Sequence, residues 1–170
     1  MSSSELKLQS LSRAPARRPR YGSSIKHAQR PKVIFVEDDP DDQWLIEEAA
    51  KCVGLFEPLM VDDGAHLLKL LEQTLADRYA PTPANLIVLD LALPKVDGFT
   101  TLRRIKEQPI WSEVPVVVLT SADNPFYARF CVSGGAAGYL TKPPGFHQLC
   151  ELMACFEQFF TKPPPPLSIV

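Results

Sequence analysis

Three four-residue apolar runs rich in branched side chains, Val33–Val36, Leu86–Leu89 and Val116–Leu119, constrain the fold of this chain more than any other feature. Each is too short for a helix, and each lacks the alternation of a half-exposed strand, so all three read as strands buried on both faces. Weaker strand candidates lie at Leu59–Val61 and Tyr139–Thr141. Between them the spacing predicts helices over Asp41–Val53, Ala65–Leu75, Phe99–Lys106, Pro125–Ser133 and Phe146–Phe160. The last carries Leu149, Leu152, Met153, Phe156, Phe159 and Phe160 at steps of three and four, a single apolar stripe. Strand and helix alternate five times. That order implies an α/β fold, a parallel sheet covered by helices on both faces.

Helix punctuation gives the first unit its local logic. Asp39 suits an N-cap, Pro40 the first helical position, and Asp41 and Asp42 the negatively charged first turn. Glu37 and Asp38, at the carboxyl end of the first strand, are left without a local structural reason to be acidic.

In an open parallel sheet the reactive crevice lies beyond the carboxyl ends of the strands. The residues there are Glu37 and Asp38 after the first strand, Asp90 after the third, Thr120 and Ser121 after the fourth, and Lys142 after the fifth. Three carboxylates converging from two strands repel one another unless a cation joins them. Mg²⁺ and the Lys142 ammonium would neutralise them, and a donor set of oxygens without His or Cys favours Mg²⁺ over zinc. Asp90 then stands beside a metal, a hydroxyl and an ammonium. A carboxylate so placed is able to attack a phosphoryl group and become an aspartyl phosphate, with the cations and Thr120 stabilising the phosphoryl oxygens. Taken singly, an Asp ending a strand is a cap, a Thr is a good strand residue and a Lys is solvated; their joint placement at successive strand ends is what points to chemistry.

These residues sit in longer motifs: Val36-Glu37-Asp38-Asp39-Pro40, Leu86 to Pro94 followed by Asp97-Gly98, Val116 to Ser121, and Gly138-Tyr139-Leu140-Thr141-Lys142-Pro143. From about Lys32 to Phe160 the chain resembles the receiver domain of two-component response regulators. The resemblance implies a flavodoxin-like doubly wound sheet of five parallel strands in the order 2-1-3-4-5, with five helices. It implies that Asp90 is the phosphoacceptor for a sensor histidine kinase and that Lys142 contacts the phosphate. It implies a Mg²⁺ site formed by Glu37, Asp38, Asp90 and the backbone carbonyl of Ala92. Thr120 and Tyr139 would form the switch pair, and the Lys142–Pro143 bond would be cis. Ala92 and Ala122 place no functional side chain two positions after Asp90 and Thr120, where this family tunes phosphate lifetime.

Within the family, three features resemble stand-alone regulators paired with bacterial phytochrome kinases. They are Glu-Asp at the metal, an insertion around Arg78 to Pro83, and a Trp-containing loop before Pro115. Only ten residues follow Phe160, so the expected output is a protein contact and not an attached effector domain. We expect a downstream protein or phosphotransfer partner, and a homodimer through the face of the fourth helix, fifth strand and fifth helix. An arm comprising Pro163 to Pro166 and the apolar Leu167, Ile169 and Val170 would embrace the second copy.

Charge divides the chain. Residues 1 to 32 carry eight Lys or Arg against Glu5 alone, although the whole chain has a net charge of -2. The expected organisation is a basic, disordered extension over 1–30, a receiver domain over 31–160 and a Pro-rich arm over 161–170. The extension's Arg- and Ser-rich makeup also resembles an organelle transit peptide, but a solvated tail is the simpler reading, and DNA binding is not expected. No apolar run approaches the roughly 20 residues that span a bilayer. The four cysteines, read as buried reduced thiols, fit a cytoplasmic protein. Two other functions compete with phosphoacceptor signalling. A Mg²⁺-dependent phosphohydrolase would want an acid where Ala92 stands, and a phosphorylation-independent adaptor or dimerisation module would not need Asp90, Thr120, Tyr139 and Lys142 together.

Overall fold

The computed structural model describes residues 31–75 and 84–161, so the expected basic extension, the insertion and nearly all of the expected arm lie outside the described residues. Five strands form one sheet: β1 (Lys32–Val36), β2 (Glu57–Val61), β3 (Leu86–Leu89), β4 (Val116–Thr120) and β5 (Gly138–Thr141). All are parallel and their order is β2-β1-β3-β4-β5. Five longer helices follow them: α1 (Pro40–Val53), α2 (Gly64–Leu75), α3 (Gly98–Glu107), α4 (Pro125–Ser133) and α5 (Phe146–Cys155).

Alternation along the buried strands separates two cores. Ile34, Val36, Ile87, Leu89, Val116 and Val118 belong to one cluster with Leu67, Leu71, Leu102, Ile105 and Cys131 from α2, α3 and α4. On the other face Phe35 meets Phe56 and Phe156, with ring centroids 6.1 and 6.4 Å apart, beneath the directly packed α1 and α5. Each fully buried aromatic of this kind contributes about 2–3 kcal/mol.

The cap expectations hold at α1. The Asp39 carboxylate accepts from the Asp41 and Asp42 amides at 2.8 and 3.3 Å, and Pro40 opens the helix. Gly54 closes it in the left-handed region at φ 66°, its N–H donating to Ala50 O, a backbone turn that glycine adopts without Cβ strain.

Several expectations need correction. The expected helix over Phe146–Phe160 is two pieces, because after Cys155 the amides of Phe156, Glu157, Phe159 and Phe160 all donate three residues back. This tighter winding seats Phe156 against Phe35 and Phe56 and Phe160 against Phe56 before a last turn, Gln158–Thr161. A second single turn, Pro109–Ser112, buries Trp111, so the described residues hold two short helices beyond the five expected. No peptide bond among the described residues is cis, and Lys142–Pro143 is trans. Of the four cysteines only Cys131 is buried; Cys150 and Cys155 are partly covered and Cys52 is exposed on α1.

Candidate functional site

The sheet delivers three of the expected residues by one repeated device. Just beyond the strand ends, the Glu37 amide donates to Val61 O (3.0 Å), the Asp90 amide to Val36 O (3.0 Å) and the Lys142 amide to Thr120 O (2.9 Å). Each of these three residues is thus fixed by one more ladder-like bond to a neighbouring strand, and its side chain projects over the carboxyl edge of the sheet.

There the side chains converge. Carboxylate oxygens of Glu37, Asp38 and Asp90 lie within 4.8 Å of one another. The Lys142 Nζ stands 2.6 Å from Glu37 Oε2 and 3.0 Å from Asp90 Oδ2. Asp90 Oδ1, on the other oxygen, accepts the Leu91 and Ala92 amides at 2.5 and 3.3 Å, which directs Oδ2 toward the lysine. Asp90 and Glu37 are buried, whereas Asp38 opens to solvent.

Electrostatics follow from that crowding. Burial raises the Glu37 carboxyl above the usual carboxylate range, opposed by the hydrogen bond and charge of Lys142 and reinforced by Asp90. For Lys142, burial is the largest influence and disfavours the charged form. Hydrogen bonds to Asp42 and Glu37, with the charges of Glu37 and Asp90, overcome it and raise the ammonium above its ordinary value. Lys142 is therefore a fixed cation.

Thr120 and Tyr139, the expected switch pair, meet at one residue. The Ala122 N–H donates to Thr120 Oγ1 at 3.4 Å, and the Tyr139 hydroxyl donates to the Ala122 carbonyl at 2.5 Å. Both side chains are buried. A displacement of the Thr120 hydroxyl therefore reaches the backbone that anchors the Tyr139 ring.

Three residues outside the sequence-derived set complete the site. Asp42, read as a first-turn helix charge, puts Oδ2 2.6 Å from Lys142 Nζ. Gln43 Nε2 donates to Glu37 O (2.6 Å) and to Asp62 Oδ1 (3.1 Å), bracing the β1 end against β2. Lys95, at φ 63°, crosses from the β3–α3 loop to Asp63 Oδ2 at 2.6 Å. None of the three is marked in the sequence: Asp42 has a sufficient local reading as a first-turn charge of α1, and its partner Lys142 lies 100 residues further along the chain.

The donor set of Glu37, Asp38 and Asp90 is oxygen only, carries three negative charges and opens to solvent through Asp38, which fits a hard divalent cation such as Mg²⁺. Ala92 touches this cluster through its amide.

The profile of the response regulator receiver domain family matches residues 33–154. Response regulator Rcp1 of Synechocystis sp. is 36% identical over 132 residues, covering 76% of this chain and 89% of the relative. Among solved structures, the phosphorylated cyanobacterial phytochrome response regulator RcpA superposes with a TM-score of 0.66 at 34% identity, over 76% of this chain and 93% of that one. The Mn²⁺-bound form of Rcp1 superposes with a TM-score of 0.67 at 32% identity, over 79% of this chain and 99% of that one.

Proposed function

This chain belongs to the response regulator receiver domain family, and on that premise we propose that it is a response regulator whose Asp90 takes a phosphoryl group from a sensor histidine kinase. The observation that carries this reading is the orientation of Asp90, with Oδ1 held by two amides and Oδ2 aimed at Lys142. In the transfer, an Asp90 carboxylate oxygen forms a bond to phosphorus as the phosphorus–nitrogen bond of the kinase phosphohistidine breaks. The electron pair of that bond returns to the imidazole nitrogen.

Glu37, Asp38, Asp90 and the Ala92 carbonyl would hold Mg²⁺, which when bound supplies positive charge to the phosphoryl oxygens. Lys142, in contact with Asp90, supplies a second positive charge, and the Thr120 hydroxyl supplies a donor. Because the Ala122 backbone links Thr120 to Tyr139, movement of Thr120 onto the phosphoryl group turns the ring and remodels the surface of α4, β5 and α5. Phe126, Phe130 and Val132 on α4 are more than half exposed, and Phe146 opens α5 with 45% exposure, so this surface offers apolar area to a downstream protein or to a second copy.

Residues 31–160 form the receiver domain in this reading, with the basic extension and the arm as appendages. The kinship with phytochrome regulators makes a bacteriophytochrome the kinase of choice. No helix among the described residues is long and apolar enough to cross a membrane. Free thiols suit a cytoplasmic setting. The protein does not turn over a metabolite; it catalyses only its own phosphorylation and dephosphorylation.

The test is intact mass after incubation with a small-molecule phosphodonor, with and without Mg²⁺, on the native protein and on Asp90→Asn. The expected result is a Mg²⁺-dependent gain of one phosphoryl group that disappears in the variant. Phosphorylation that persists in Asp90→Asn would overturn the assignment of the acceptor.

A further inference from the structure

Lys142 has three ammonium protons and three carboxylate neighbours, Glu37 and Asp42 at 2.6 Å and Asp90 at 3.0 Å, so every donor it owns is claimed. Its side chain is only 15% exposed, which leaves the choice of partner to the protein and not to water. Glu37 and Asp90 belong to the acidic cluster with Asp38; Asp42 does not. Asp42 has the shorter contact with Lys142 than the phosphoacceptor does. Its backbone is fixed in the first turn of α1, where its amide donates to Asp39 Oδ1 at 3.3 Å.

Resting on the phosphoacceptor reading, we propose that Asp42 is a positioning residue that competes with the phosphoryl group for Lys142 and thereby limits the phosphoryl occupancy of Asp90. Once a divalent cation offsets two of the three charges on Glu37, Asp38 and Asp90, their pull on the ammonium weakens, whereas Asp42, outside that cluster, keeps its hold. A phosphoryl group on Asp90 brings further negative charge toward the same nitrogen. It must share Lys142 with Asp42, and the two anions repel across the ammonium they have in common. The result is a site tuned against full occupancy, in which a carboxylate on the helix after β1 sets the strength of the lysine's grip on phosphate.

The competing explanation is that Asp42 merely places negative charge at the amino end of α1, a role it shares with Asp41. Substituting Asp41 separates the two, because Asp41 lies in the same turn and is exposed.

The experiment is calorimetric titration of the full chain with beryllofluoride, a phosphoryl mimic, in saturating Mg²⁺. Asp42→Asn should bind about tenfold more tightly than the native protein, the scale of one like-charge repulsion removed at partly buried distance. Asp42→Glu, which restores the carboxylate, should return to within about twofold of native, a rescue that loss of structure would not produce. Asp41→Asn should leave the affinity within about twofold of native. Equal or weaker binding by Asp42→Asn overturns the proposal, and so does an equal gain in Asp41→Asn. If the native protein binds no beryllofluoride at all, the phosphoacceptor reading fails and takes this proposal with it.

Discussion

The Lys142 ammonium and the Glu37 carboxylate form an ion pair at 2.6 Å in which the glutamate side chain is 3% exposed and the lysine 15%. Burial pushes the Glu37 carboxyl toward its neutral form, and the hydrogen bond and charge of Lys142 oppose that rise. Removing the lysine takes from Glu37, Asp42 and Asp90 the ammonium they share. Lys142→Ala should lose about 3 kcal/mol of stability in metal-free buffer, the usual cost of orphaning one partner of a buried pair. Urea unfolding at neutral pH measures it. Added Mg²⁺ should recover more stability in the variant than in the native protein, since the cation replaces the missing charge; an equal recovery in both would contradict this account of the site.

In the loop after β2, Asp63 is held below the usual carboxylate range, first by the hydrogen bond from Lys95 and then by the His66 amide. A depressed folded-state pKa stabilises the protein above the unfolded value of about 3.9 and ceases to do so as pH falls through the folded value. Asp63→Asn should therefore be less stable than the native protein at neutral pH, and its urea midpoint should fall less steeply as the pH drops below about 4. Lys95→Met, which removes the first-named cause, should flatten the same limb. Acid limbs that superpose in all three proteins would show that the pair does not contribute.

What could be read in advance, and what could not, follows from the range of each signal. Val33–Val36, Leu86–Leu89 and Val116–Leu119 announce themselves because a strand buried on both faces must be apolar throughout, and their polar successors then mark the edge where Glu37, Asp38, Asp90 and Lys142 gather. The pairing of Lys142 with Asp42 spans 100 residues of chain and leaves no periodic trace. Asp42 also had a sufficient local explanation as a first-turn charge, which concealed its second role. The break after Cys155 was hidden for the opposite reason: Phe156, Phe159 and Phe160 continue the apolar stripe whether or not the winding tightens. A single turn such as Pro109–Ser112 is shorter than the period needed to register at all.

The cysteines show how composition misleads about exposure, and this gives a direct check. Cys131 is fully buried in α4, and burial pushes its thiol up to about 11. Cys52, on the outer part of α1, is exposed. In the folded protein an aromatic disulfide reagent should modify Cys52 quickly and Cys131 slower by about a hundredfold or more, because both access and thiolate fraction fall with burial. Cys52→Ser should abolish the fast phase. A fast phase that survives in Cys52→Ser would assign it to Cys150 or Cys155 and would refute this ranking.

The loop after β3 depends on a close approach of backbone to backbone at Gly98. Asp97 caps α3, accepting the Thr100 amide at 3.0 Å and its hydroxyl at 2.8 Å, and the Gly98 amide donates to Leu91 O at 3.1 Å. A Cβ at position 98 would overlap the Asp90 carbonyl oxygen and lie 2.6 Å from Leu91 Cα, both of them main-chain atoms with no rotamer to yield. The loop must shift to admit a methyl group, and that shift displaces the Leu91 and Ala92 amides from Asp90 Oδ1. Gly98→Ala should cost about 2–3 kcal/mol by overpacking. It should also slow phosphorylation of Asp90 by a small-molecule donor more than tenfold at temperatures where the variant stays folded, since an error of about 1 Å in a reacting group costs on that order. Gly98→Ser should behave alike. A variant that loses stability yet phosphorylates at the native rate would show that the two amides do not orient the carboxylate.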